Sequence, residues 1–236
     1  MELICYLSNG YPTIADSIAI ADIYARAGCN AIEVDFPGRN PYLESEYIAG
    51  RMAKALEHCG DYGAYMEGIA TIKVNQPALH FIVLLYEDTL QEIGYERFLG
   101  FCKKNGLRDL ILVGQKDARI NRNLMKDDMR VSCYVQFELG DEEVEQAKNS
   151  NGFVYMQAKP TSGNTKERTL KDCIAYLRRQ GIRRPIYCGV GIHSPEDVTM
   201  AKEAGADGVF VGSSILKLHN DHDALIRTIE NFKARC

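Results

Sequence analysis

Between residues 188 and 217 the chain reads CGVGIHSPEDVTMAKEAGADGVFVGSSILK, with glycines placed where apolar runs give way to helical patterns. Glycine makes tight turns because it tolerates positive φ. It also bares backbone N–H groups, and bared N–H groups at a helix start hold anions, phosphate above all. Gly189 and Gly191 close one apolar run, Gly212 and Ser213 close the next, and Thr161-Ser162-Gly163 forms a third small-residue loop. Three such loops on one rim exceed what turn-making requires, and together they predict a site for a phosphorylated small molecule. Ser194 reads differently. In Ser194-Pro195-Glu196-Asp197 it is an N-cap followed by Pro and acids in the first turn, which is ordinary capping.

The elements that must bring these loops together repeat along the whole chain. Short apolar runs, each followed by a longer amphipathic stretch, begin at residues 2–7, 31–36, 79–86, 109–114, 130–137, 152–158, 185–191 and 208–214. The intervening helical patterns cover 14–28, 45–60, 95–106, 118–126, 141–150, 170–181 and 195–205, and a last one ends the chain. Eight βα units without a break in composition imply a parallel sheet, and at 236 residues they fit one closed (β/α)₈ TIM barrel over 1–236. A doubly wound open sheet is the alternative. Its G-x-G-x-x-G is missing after the first strand, where the turn reads SNGYPT. The chain runs almost directly into its first strand without an extra N-terminal helix, so nothing obvious covers the N-terminal face of the barrel.

Composition narrows the partners. A net charge of -4 and a pI near 5.8 give no basic footprint for nucleic acid. No apolar run approaches membrane-spanning length, and no signal-peptide pattern opens the chain. The eight cysteines (5, 29, 59, 102, 133, 173, 188 and 236) contain no CxxC and read as free thiols of a cytoplasmic protein. The five histidines are scattered, and His219 and His222 fall on or beside a surface helix. No metal site and no cofactor is expected. Glu33 and Asp35 share one strand face and suit a hydrogen-bonded pair better than a divalent ion.

The segments YLSNGYPT (6–13), AGCNAIEVDFPGRNP (27–41), GFVYMQA with TSG (152–163), CGVGIHSPEDV (188–198) and AGADGVFVGSSILK (204–217) resemble the tryptophan synthase alpha subunit family. The likeness runs from the first strand to the last and is weakest between about 107 and 150. It implies a (β/α)₈ barrel that cleaves indole-3-glycerol phosphate to indole and glyceraldehyde 3-phosphate, with a beta-type subunit as companion. By position, the family's first catalytic carboxylate falls on Glu33 and its second acid on Glu44. The pocket tyrosines fall on Tyr86 and Tyr155, and the phosphate ligands on Gly163, Gly191, Gly212 and Ser213, with Gly189 alongside. One carboxyl group would shuttle a proton between the glycerol hydroxyl and the ring carbon, and the other would hold the indole N–H.

Several positions depart from the family pattern. Asp35 stands where the family has a small Gly, and Glu87, Asp88, Gln115, Asp117, Gln136, Glu138, Gln157 and Lys159 gather at strand ends. An indole ring wants apolar walls, and each uncompensated buried polar group costs a few kcal/mol. A related barrel lyase or isomerase acting on a more polar phosphorylated substrate is therefore an open alternative, as is a non-catalytic relative that binds a phospho-metabolite or a partner protein. If two of Asp35, Glu87 and Glu138 face the cavity, the more polar substrate is expected.

Overall fold

A computed structural model describes residues 1–114, 118–160 and 168–236. Strands β1 (Glu2–Leu7), β2 (Ala31–Asp35), β3 (His80–Tyr86), β4 (Asp109–Val113), β5 (Arg130–Val131), β6 (Cys133–Val135), β7 (Val154–Gln157), β8 (Ile186–Gly189) and β9 (Gly208–Val211) pair in the order β5-β4-β3-β2-β1-β9-β8-β7-β6, every pairing parallel. The two ends of that order are one stretch of chain. β5 pairs with β4 and β6 with β7, and only Ser132 separates them. At the seam Ser132 N donates to Leu110 O at 2.9 Å, and Gly152 N donates to Val131 O at 3.0 Å. The sheet thus bends back on itself as a TIM barrel, with β5 and β6 serving as its fifth strand.

The strands are buried on both faces, as parallel strands wrapped in helices must be. Side chains at alternate positions, such as Leu3, Cys5 and Leu7 of β1 and Ile32 and Val34 of β2, join the cluster beneath the outer helices. The other set points to the barrel axis, where Ile4, Ala31, Ile82, Phe153, Tyr187 and Phe210 form a separate apolar layer. Helices α1 (Ile14–Arg26), α2 (Glu46–His58), α3 (Tyr62–Asn75), α4 (Glu87–Ile93), α5 (Tyr95–Asn105), α6 (Ala118–Lys126), α7 (Asp141–Asn149), α8 (Leu170–Arg179), α9 (Pro195–Ala204), α10 (Ser213–Leu216) and α11 (His222–Lys233) surround it. The Ser194 reading holds: Ser194 and Asp197 form a reciprocal capping box with Pro195 in the first turn of α9.

Below the apolar layer, side chains at the N-terminal strand ends form a charged network. His80 Nε2 lies 2.6 Å from Asp109 Oδ2, Arg130 donates to the same oxygen, and Tyr187 OH donates to Glu2 Oε2 at 3.1 Å. Hydrogen bonds to Asp109 and Glu2 push the His80 imidazole up to about 9, so it is a cation at neutral pH. The N-terminal end of the interior is thus lined by paired charges, and the chemistry is left to the opposite end, where the strands run out into the βα loops.

Candidate active site

At that end, alternation along β2 turns Ala31, Glu33 and Asp35 inward. Glu33 and Asp35 are 5% and 0% exposed. Their surroundings differ. Asp35 accepts the Tyr6 hydroxyl at 2.5 Å on one oxygen and the Asn9 N–H at 2.6 Å on the other. Burial nevertheless pushes its carboxyl up to about 7 against those two donors. Among the described residues Glu33 has no hydrogen bond or ion pair, and its carboxyl is held well above the ordinary range, first by burial and then by the charges of Glu44 and Asp35. Such an environment favours the protonated form, which can give a proton away.

Glu44 comes from the loop after β2, which folds back over the barrel mouth. Tyr62 OH pins that loop through Pro37 O at 3.0 Å, and the Tyr42 ring leans edge-on against Tyr86, centroids 5.6 Å apart. Ser45 then caps α2 by accepting from Ile48 N. Between these anchors Glu44 Oε1 accepts from the Tyr86 hydroxyl at 3.4 Å, and burial raises its carboxyl above its usual value. Tyr86 closes β3, and α4 begins at the very next residue.

Across the barrel Tyr155 of β7 stacks on Phe210 of β9 at 4.4 Å and 14°, and meets Tyr134 edge-on at 5.6 Å. Burial and the Glu33 charge raise its hydroxyl well above the ordinary tyrosine value, so it is a neutral donor beside the acid. The space for this ring comes from Gly189, where a Cβ would lie 2.4 Å from the Tyr155 ring. Packing alone therefore accounts for glycine at 189. Gly191 has φ +112, and a Cβ there would lie 2.9 Å from Lys159 Cβ. Between them Val190 adopts φ 52 with its side chain 47% exposed, an outlier for a β-branched residue of the kind that marks functional turns. Gly212 is different again: a Cβ would meet nothing nearer than Tyr6 Cβ at 3.8 Å. Gly212 caps α10, whose first N–H groups, on Ser213 and Ser214, have no partner inside the helix. The Ser214 hydroxyl is buried there without a hydrogen-bond partner among the described residues. Gly163 lies outside the described residues, as do Gln115 and Asp117.

A sequence profile of the tryptophan synthase alpha chain matches residues 1–235. The chain belongs to the tryptophan synthase alpha chain family. That is a lyase family, and its reaction is cleavage of indole-3-glycerol phosphate to indole and glyceraldehyde 3-phosphate. The chain is similar to the tryptophan synthase alpha chain of Vibrio vulnificus, 26% identical over 228 residues that cover 92% of this chain and 84% of that one. Among solved structures it is similar to tryptophan synthase of Mycobacterium tuberculosis, with a TM-score of 0.84 and 22% identity over 99% of this chain and 91% of that one. It is also similar to a chain of the tryptophan synthase a2b2 complex of Pyrococcus furiosus, with a TM-score of 0.84 and 18% identity over 99% and 97%.

Against the tryptophan synthase alpha pattern, the exposed polar departures leave the cavity alone, while Glu87 and Gln157 are buried. Glu87 is the first residue of α4, and Asp88 and Glu138 are exposed. Gln136 is exposed too, and its backbone N–H is bound by Glu143. Gln157 uses Oε1 to accept the Phe137 N–H, and Lys159 pairs with Asp197 at 2.5 Å. Of Asp35, Glu87 and Glu138, only Asp35 points into the barrel from a strand. The partners Tyr6 and Asn9 are what the sequence reading missed, although both lie in the YLSNGYPT motif and the β1–β2 register sets Tyr6 directly beside Glu33.

A buried chain of hydrogen bonds holds Tyr6 from behind. Arg51 Nη2 lies 2.9 Å from His219 Nδ1, His219 Nε2 lies 2.7 Å from Tyr24 OH, and Tyr24 OH donates to Tyr6 O at 3.0 Å. Arginine can only donate, so His219 Nδ1 accepts and Nε2 carries the proton. Burial and the adjacent Arg51 push the imidazole down to about 3, which keeps it neutral. His219, expected on or beside a surface helix, is instead 8% exposed. No helix of the described residues is long and apolar enough to cross a membrane, and no described His, Cys, Asp and Glu side chains form a group that could hold a metal ion.

Proposed function

We propose that this chain cleaves indole-3-glycerol phosphate by retro-aldol chemistry, with Glu33 as the proton-transfer group. The observation that supports it most is a buried Glu33 carboxyl, unpaired among the described residues, facing the same cavity as Tyr155 and Glu44. Glu33 gives its proton to the ring carbon that bears the glycerol chain, and positive charge develops on the ring nitrogen. Glu44, held by Tyr86, accepts the ring N–H and stabilises that charge. The Glu33 carboxylate then takes the proton of the adjacent glycerol hydroxyl. The carbon–carbon bond breaks, its electrons return to the ring, and indole and glyceraldehyde 3-phosphate leave with Glu33 protonated again.

The phosphate is held by the loops after β8 and β9 through Gly191, Gly212 and Ser213. Gly189 serves this site indirectly, by admitting the Tyr155 ring. The geometry favours indole over a more polar ligand, since Tyr155 and Phe210 offer a stacked aromatic wall and Asp35 already has donors on both oxygens. The family resemblance supports a beta-type subunit as partner. The eight free cysteines, four of them completely buried, support a cytoplasmic setting. Calorimetric titration tests the substrate class. Indole-3-glycerol phosphate should bind at least about tenfold more tightly than glycerol phosphate, since a buried ring gains apolar contact worth more than 1.4 kcal/mol. Equal affinities would leave the indole without a site and overturn the reading.

A further inference from the structure

Asp35 is the residue at which this chain departs from the resemblance described above, two residues after Glu33. Here it is completely buried, on the same face of β2 as Glu33. Nothing about its surroundings is loose. Tyr6 OH occupies Oδ2 and the Asn9 N–H occupies Oδ1, at 2.5 and 2.6 Å. Tyr6 is itself fixed through its carbonyl by the Tyr24–His219–Arg51 chain. Two donors directed at one carboxylate favour its ionised form. Glu33, its neighbour, has no donor at all among the described residues. Two acids placed side by side with such unequal partners divide the roles: the one with donors is the readier to ionise, and the one without is the readier to hold the proton.

Resting on the retro-aldol reading above, we propose that Asp35 is a positioning residue for Glu33: once ionised, its charge, held by the Tyr6 and Asn9 donors, adds to burial and to Glu44 in keeping the Glu33 carboxyl protonated and ready to deliver its proton to the substrate carbon. The other groups around the pair are Tyr6 of β1, Tyr86 of β3, Tyr155 of β7, Glu44 of the loop after β2 and Arg51 of α2. The three tyrosines are neutral at physiological pH. Glu44 raises both acids, and Arg51 acts on Asp35 in the opposite sense. The fold specifies the position of the Asp35 charge.

The test reads Glu33 directly, in the intact protein. With carbon-13 in the glutamate carboxyl groups, the Glu33 resonance is the one lost in Glu33→Gln, and its midpoint is followed against pH. Asp35→Asn preserves the shape and removes the charge, so the Glu33 midpoint should fall by about one pH unit or more. Tyr6→Phe keeps Asp35 but removes a donor to it. Asp35 then binds its own proton more readily, and the Glu33 midpoint should fall by a smaller amount. The limb of the pH–rate profile that belongs to Glu33 should move to lower pH in both variants. An unmoved Glu33 midpoint in folded Asp35→Asn, or in Tyr6→Phe should the first variant not fold, would overturn the proposal. Midpoints that move as stated in a protein that leaves indole-3-glycerol phosphate intact would retain the Asp35–Glu33 coupling and discard the reaction instead.

Discussion

Glu33→Gln is expected to lower turnover of indole-3-glycerol phosphate by about two or more orders of magnitude, because it removes the group that both gives and takes the proton. The amide keeps the shape of the side chain and the packing around it. Its effect on stability should have the opposite sign. Burial, with the charges of Glu44 and Asp35, raises the Glu33 carboxyl in the folded state above its ordinary 4.5. Folding then binds protons, so stability is greatest below the unfolded value and declines as pH rises toward the folded value. The Gln variant has no such decline. Thermal unfolding should show it at least as stable as the parent at pH 8, with the difference vanishing below about pH 4. A variant that keeps turnover within a fewfold of the parent would assign Glu33 to structure rather than chemistry.

The second large effect is expected at Gly212. A Cβ at that position would meet only ordinary contact, so the first atom of the Gly212→Asp side chain displaces no neighbour. Its charge would stand at the start of α10, where the proposed phosphate lies. Two like charges about 4 Å apart repel by about 4 kcal/mol at an effective dielectric of 20, so phosphorylated ligands should lose roughly a hundredfold or more in affinity. Unphosphorylated indole should bind as before, since its contacts lie deeper in the barrel. Calorimetry on the parent and the variant with both ligands separates the two effects. Equal affinity of the variant and the parent for indole-3-glycerol phosphate would place the phosphate elsewhere.

Much of the barrel was legible because parallel strands buried on both faces leave apolar runs that the turns punctuate. The run 2–7 is β1 residue for residue, and 31–36 overshoots β2 by one. The run 130–137 contains two short strands, because the chain must leave β4 and join β7 at Ser132, which periodicity does not reveal. Helices α3 and α4 escaped notice. α3 buries Tyr65, Met66, Ile69 and Ile72 on one face, but Val74 on the opposite face is apolar and exposed, so its amphipathic signal is weak. α4 starts where β3 ends, and Glu87 and Asp88 therefore read as strand-end acids when they are first-turn acids of a helix.

At the site, the alternation of β2 correctly turned Glu33 and Asp35 to the same side, but only the fold shows that Tyr6 and Asn9 occupy Asp35 while Glu33 goes without a donor among the described residues. Gly189 shows the opposite case. Its place beside Gly191 suggested an anion, whereas the contact that requires a missing Cβ is with the Tyr155 ring. A glycine pattern identifies where backbone must come close, not which neighbour comes close to it.

The account turns on one reaction, which proton NMR of the purified chain mixed with indole-3-glycerol phosphate in deuterated water follows atom by atom. Retro-aldol cleavage with Glu33 carrying an exchangeable proton predicts equal amounts of indole and glyceraldehyde 3-phosphate, with deuterium on the indole carbon that had borne the glycerol chain. Substrate that stays intact over many hours, with and without an added beta-type subunit, would contradict it.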